Sequence, residues 1–182
     1  TLAEIMKENG YTTYMAGKWH LTVDGAWKPK DSIPNGSYPT QRGFDGYYGS
    51  LSGAGNFYSP KAVYRNEEKV TKFSSGYYYT DAINEHSVEF ILNHGGASPF
   101  FLYVAHYAPH RPLQAPEERV EACRERYLVG YDVLRQERYK RLKEMGLVAS
   151  EAELPIFQNE YKKQARPSWD SLDSEMKEKW VE

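Results

Sequence analysis

Lys18 and His20 stand two residues apart in the run Gly17-Lys18-Trp19-His20-Leu21, directly after a short β-branched and aromatic stretch. In an extended segment, residues i and i+2 project to the same face. An ammonium and an imidazole leaving the end of a strand together can bind a tetrahedral oxyanion and move protons around it. That is the chemistry of phosphate or sulfate ester cleavage. The same pair also decorates solvated loops in many unrelated chains, so its surroundings decide its meaning. A second cluster, His106-Tyr107-Ala108-Pro109-His110-Arg111-Pro112, follows another apolar run and adds His110 and Arg111, the latter able to touch an anionic substrate. Asn56, flanked by Gly and aromatic residues, is a candidate for lining a substrate pocket, with a simple turn as the equal alternative.

The elements that must position these groups can be read in outline. Thr1 and Glu4 have capping-box spacing, Leu2, Ile5 and Met6 form an apolar stripe, and Asn9-Gly10 is a stop, which predicts a short helix. A strand over Tyr11 to Ala16 then delivers Lys18 and His20. Tyr64 to Phe73 reads as a hairpin around Asn66-Glu67. Thr80 or Asp81 caps a helix carrying Ile83, Val88, Phe90 and Ile91 and ended by His94-Gly95-Gly96, so Asp81 needs no role as a metal ligand. Pro99 to Ala105 is an uninterrupted apolar run between turn signals, the pattern of a strand buried on both faces. Helix followed by strand, twice, indicates an α/β architecture. Ligands in open α/β sheets bind beyond the carboxyl ends of the strands, which puts Lys18, His20 and His110 at equivalent ends of two strands.

Between Leu21 and Pro60 no period is sustained, and Gly, Pro, Ser and Tyr abound. A loop of that length is usually functional. Beyond Pro116 the chain turns helical and charged to about Gly146. A Pro-containing linker then leads to a final amphipathic stretch with Leu172, Met176 and Trp180.

With 23 basic and 25 acidic residues among 182, the formal charge of −2 gives no basic surface for nucleic acid or a polybasic membrane anchor. No apolar run approaches the roughly 20 residues a bilayer span needs. One cysteine, Cys123, excludes an internal disulfide framework and a multi-cysteine zinc site, and it reads as a small helix-packing residue. Aromatic residues make up 15% of the chain, a load suited to sugar rings and aryl groups as well as to packing. His106 and His110 could share a metal on a helix, but Pro109 argues for a loop. His86 and His94 fit an exposed helix face and its last turn. The chain begins without Met and ends inside a helical pattern, so it is expected to be an internal piece of a larger protein.

In order along the chain, several blocks resemble the type I sulfatase family of the alkaline phosphatase superfamily. They are Leu2-Ala3-Glu4, Gly10-Tyr11-Thr12-Thr13, Gly17-Lys18-Trp19-His20-Leu21, Arg42-Gly43-Phe44-Asp45, Tyr79-Thr80-Asp81, and Pro99-Phe100-Phe101-Leu102 leading to Pro109-His110-Arg111-Pro112. Tyr131 to Leu147 is similar to the helical insert of bacterial arylsulfatase-like members. The resemblance implies an alkaline-phosphatase-like α/β sandwich with a mostly parallel sheet, only part of it present. Its core would cover about 1–116 with the long active-site loop at 21–60, and a truncated helical insert would cover about 117–182.

By the same resemblance, Lys18 matches a lysine that contacts sulfate and nucleophile, where a cation offsets charge building on oxygen. His20 matches the histidine beside the nucleophile, suited to accept a proton. His110 matches the histidine that binds a sulfate oxygen and helps protonate the departing alcohol. The family nucleophile is a formylglycine made within a C/S-x-P/A-S-R setting, which this sequence lacks; Cys123 does not match it. The family's Ca²⁺ ligands are likewise expected outside this fragment, so none of the 182 residues is assigned as a metal ligand. The implied activity is hydrolysis of sulfate monoesters, on aryl sulfates or sulfated glycans. A phosphoester or phosphonate hydrolase of the same superfamily and a non-catalytic glycan-binding protein are the alternatives. A periplasmic or secreted location fits such substrates, while oligomeric state has no signal in these residues.

Overall fold

The computed structural model describes residues 1–22, 36–155, 158–159 and 164–181, and the chain divides into two compact units, Thr1–Gln114 and Ala115–Glu182. The first unit is built on a five-stranded sheet of order β4-β3-β2-β1-β5, with β1 Thr12–Gly17, β2 Gly46–Ser50, β3 Val63–Arg65, β4 Glu68–Lys69 and β5 Phe100–Ala105. Strands β2, β1 and β5 run parallel, and the β3–β4 hairpin extends the sheet antiparallel beyond β2. Asn66, in the left-handed region at φ 54°, makes the hairpin turn and accepts the Tyr47 amide on its side chain at 2.9 Å.

Alternation along the strands sorts two cores onto the two faces of the sheet. On one face Met15 and Tyr47 pack with Ala3 of helix α1 (Leu2–Glu8), Trp19, Phe44 and Leu51. On the other, Ala16, Tyr48 and Val63 pack with Tyr79, Ala82 and Ile83 of helix α2 (Tyr79–Leu92), while Tyr14 stacks on Phe90 at 4.9 Å. Helices thus cover both faces of the parallel part, the sandwich expected of an α/β domain.

The structure corrects several expectations. The aperiodic stretch 21–60 contains a 3₁₀ turn over Pro39–Arg42 and β2, a central strand with every residue buried, while 23–35 lie outside the described residues. Gly46-Tyr47-Tyr48-Gly49-Ser50 hid its strand because two glycines interrupt the side-chain pattern. Within the described residues strand β5 pairs with β1 alone, and Phe100, Tyr103 and Val104 are exposed, so it is not covered on both faces here. In α1 the capping box forms, yet Leu2 and Ile5 are exposed and Ala3 is the residue that enters the core. Helix α2 begins at Tyr79 after the N-cap Tyr78, so Asp81 lies in its first turn rather than at the cap, still a favourable place for an acid.

The Arg42-Gly43-Phe44-Asp45 block ties α1 to the sheet. Asp45 accepts the Thr13 amide at 2.9 Å and Lys7 Nζ at 2.5 Å, and the Thr13 hydroxyl donates to Gly43 O at 2.5 Å. Burial pushes the Asp45 carboxyl up, but hydrogen bonds from Lys7 and Thr13 outweigh it and hold the group below its ordinary value. The unfolded chain therefore takes up this proton first. The stabilisation is complete above about pH 4 and is lost as pH falls through the depressed folded value. Asp45→Asn should cost about 1–2 kcal/mol at pH 7, and its denaturation midpoint should converge on the parent's at acid pH. A constant gap across pH would show that the charge is not what matters.

The second unit holds α3 (Glu117–Leu128), α4 (Tyr131–Glu144), a two-stranded pairing of β6 (Gln158–Asn159) with β7 (Gln164–Ala165), and α5 (Ser174–Val181). Its packing centre is aromatic: Trp169 and Trp180 stand edge-on to Tyr131, and Arg166 lies over the same ring while pairing with Asp132 at 2.7 Å. Val181, not Met176 or Trp180, is the buried residue of α5, and Leu172 precedes the helix. Cys123 is exposed on α3 rather than packed.

Candidate active site

The parallel strands β2, β1 and β5 end together, with Gly17 opposite Ala105 and Ala16 opposite Tyr48. Their backbones approach too closely for side chains at two points. A Cβ on Gly17 would stand 1.9 Å from Ala105 O, and one on Gly49 would stand 1.8 Å from Gly17 O. The chain leaving β1 is fastened on both sides, since the Lys18 amide donates to Ala105 O at 2.8 Å and the Trp19 amide to Ser50 O at 2.9 Å. Trp19 anchors the exit: its indole is buried against Phe44, and Nε1 donates to Ser37 O at 2.8 Å. Lys18 and His20 flank this anchor.

Strand β1 stops at Gly17, and His20 sits in the left-handed region at φ 56°, so the extended i, i+2 rule does not govern the pair. Lys18 is half-buried with Nζ 5.9 Å from the centre of the Tyr107 ring, in the segment after β5. His20 is exposed, with its imidazole against Gly53 in the segment after β2; a Cβ there would meet Nε2 at 2.1 Å. His110 is exposed, and its ring is nearly parallel to that of Tyr107 (19°) with centroids 6.2 Å apart. Its Nδ1 lies 2.6 Å from Arg111 O. A carbonyl only accepts, so Nδ1 carries a hydrogen and Nε2 is the nitrogen free to exchange a proton.

Lys18 and His110 therefore meet at one ring, Tyr107, and His20 joins the segment that also carries Asn56. Asn56 Oδ1 accepts the amides of Tyr58 at 2.7 Å and Ser59 at 3.0 Å, closing a turn on the exposed surface. Arg111 is exposed beside His110. Two residues to which the sequence alone assigns no role, Tyr107 and Gln114, complete the arrangement. Tyr107 is buried, and Gln114 clamps the loops after β2 and β5 by accepting the Phe57 amide on Oε1 and the Tyr78 hydroxyl on its carbonyl, both at 3.0 Å. Neither carries a periodic or motif signal. Burial pushes the Tyr107 hydroxyl up to about 12 despite the nearby Ser50 side chain, so the ring beside Lys18 stays neutral near pH 7.

Two of the other histidines make structural contacts. His86 is half-buried rather than on an exposed face: it stacks on Tyr48 at 3.5 Å and pairs with Glu89, and burial lowers its pKa. His94 faces the Tyr14 hydroxyl and Ser98 O, joining the end of α2 to the sheet. His106 is exposed. Among the described residues no three His, Cys, Asp or Glu side chains gather where a metal ion could be held.

The family model for Sulfatase matches residues 1–164. Arylsulfatase J of Mus musculus is 38% identical over 134 residues, covering 68% of this chain and 21% of that protein. An arylsulfatase of Klebsiella aerogenes is 30% identical over 155 residues, covering 85% of this chain and 33% of its own length. The chain thus spans about a fifth to a third of these relatives. Among solved structures, that of Ps i-CgsB in complex with k-i-k-neocarrahexaose superposes with a TM-score of 0.55 at 30% identity, covering 66% of this chain and 29% of that one.

Proposed function

The chain belongs to the sulfatase family, and from that premise we propose that the complete protein hydrolyses sulfate monoesters, with Lys18, His20 and His110 among its catalytic residues. The observation that carries this reading is the shared ring. Two strands bring a primary ammonium and a histidine with a free Nε2 onto Tyr107, beyond the carboxyl end of a parallel sheet. In this reading the Lys18 ammonium binds sulfate oxygens and offsets their charge as the ester bond breaks. His110, when protonated on Nε2 as well as Nδ1, gives the Nε2 proton to the departing alcohol oxygen, and His20 accepts the proton that the nucleophile's hydroxyl loses. Arg111 and the Asn56 amide nitrogen are proposed as substrate contacts.

A formylglycine nucleophile and Ca²⁺ are part of the proposal, supplied by segments outside these 182 residues. When bound, the ion would contribute Lewis acidity toward a sulfate oxygen. The described residues hold no donor cluster for it, so no step here depends on it. Substrates are proposed to be sulfated sugars or aryl sulfates, supported by the aromatic residues around the site and by the oligosaccharide bound to Ps i-CgsB. No described helix is long and apolar enough to cross a membrane, and a periplasmic or secreted location would place such an enzyme near polymeric substrates.

Turnover of 4-nitrophenyl sulfate and 4-nitrophenyl phosphate by the mature complete protein tests this. Sulfate is expected to be preferred by about 100-fold or more, a difference of about 2.7 kcal/mol in transition-state binding. Preference for phosphate would reassign the chemistry to phosphoester hydrolysis. Turnover of neither would leave an anion- or glycan-binding protein.

A further inference from the structure

Tyr107 is 2% exposed, and two of the three catalytic candidates lie against its ring. Lys18 Nζ and the His110 imidazole both lie against it, at 5.9 and 6.2 Å, while Phe57 and Tyr79 hold it from the core at 5.4 and 5.2 Å. Its hydroxyl is buried near the Ser50 side chain, has no hydrogen-bond partner of good geometry among the described residues, and lies 3.1 Å from where a Cβ on Gly55 would stand. An aromatic face attracts a cation and stacks on an imidazole, and both contacts strengthen when water is excluded. Lys18 and His110 lie in the segments that follow β1 and β5, and the Tyr107 ring is a group both lie against.

We propose that Tyr107 is a positioning residue: its ring fixes Lys18 and His110 in one arrangement relative to the sulfate ester, without itself touching the reacting atoms. This rests on the roles of Lys18 and His110 proposed above. The ring does the positioning and the hydroxyl does not, because Lys18 and His110 both lie against the ring, whereas the hydroxyl lies toward Ser50 and Gly55.

The test compares Tyr107→Phe, Tyr107→Leu and Tyr107→Met in the complete mature protein, with kcat and KM measured on 4-nitrophenyl sulfate and on phenyl sulfate, whose leaving group is poorer. The conservative Phe variant should restore kcat to within about twofold of the parent. The two ringless variants, checked for native circular dichroism, should lose about tenfold or more in kcat with little change in KM, the cost of misplacing groups that act in the transition state. That loss should be larger on phenyl sulfate, as for His110→Ala, because a misplaced proton donor matters most when the alcohol leaves reluctantly. A fold defect alone would lower activity on both substrates equally. If a folded ringless variant keeps the parent's kcat and leaving-group dependence while Lys18→Ala and His110→Ala are impaired, the positioning role is wrong. If Lys18→Ala and His110→Ala themselves release sulfate normally, it is the proposed function that fails.

Discussion

Lys18→Ala in the complete protein should lower kcat for 4-nitrophenyl sulfate by about 10²–10³-fold, the usual cost of removing one donor to a developing oxyanion. Its thermal midpoint should stay near the parent's. The two expectations separate because of where the side chain lies. Its backbone amide makes the structural bond to Ala105 O, which alanine keeps, and its half-buried ammonium lies over the face of Tyr107, with no ion pair among the described residues. Lys18→Arg should recover part of the loss, since charge is restored but a planar guanidinium does not reproduce a point charge. His110→Ala should cost about 10²–10⁴-fold, with the deficit growing as the leaving alcohol becomes more basic. Near-normal sulfate release from Lys18→Ala, His20→Ala and His110→Ala together would end the assignment of roles.

The largest stability effect is expected at the glycines where the strand ends meet. A methyl at Gly17 or Gly49 would enter space held by backbone atoms, which cannot rotate away as a side chain could. Overpacking costs about 1–3 kcal/mol, and a non-glycine residue in a sparsely populated backbone region costs about 1–3 kcal/mol more. Gly17→Ala at φ 121° is therefore expected to lose about 3 kcal/mol or more, a large share of a typical folding free energy. Gly10→Ala is the control. It also has a positive φ, 84°, but open space around its Cβ, so only the backbone term of about 1–2 kcal/mol applies. Urea denaturation of the complete protein measures all three, and equal midpoints for Gly17→Ala and Gly10→Ala would contradict the close approach of β1 to β5.

Much of the candidate site and of the elements around it is legible in the sequence because their signals are local. Lys18, Trp19 and His20 are adjacent, the capping box of α1 spans four residues, and the Asn66-Glu67 turn is a short-range preference; each depends on chemistry within a few bonds. The candidacy of His110 came from its place after an apolar run, and that run is a strand parallel to β1 in the folded chain. Strand β2 escaped notice because Gly46 and Gly49 erase side-chain alternation. They are glycines for a reason that lies in other segments, the rings of Phe90 and Tyr14 over one and the backbone of Gly17 against the other.

Taken alone, the order and types of residues determined the α/β class, the basic and imidazole groups at strand ends, and the family those motifs resemble. Hydrophobic period and turn preference are properties of neighbouring residues, so no folding had to be known. Tertiary structure alone decided that β5 lies at the end of the described sheet, that His20 leans toward the loop after β2 while Lys18 leans toward the segment after β5, and that Tyr107 joins Lys18 to His110. These depend on which segments lie side by side. Lys18 and Tyr107 are far apart in the chain, and strand pairing, set by burial of both faces of the sheet at once, brings them together.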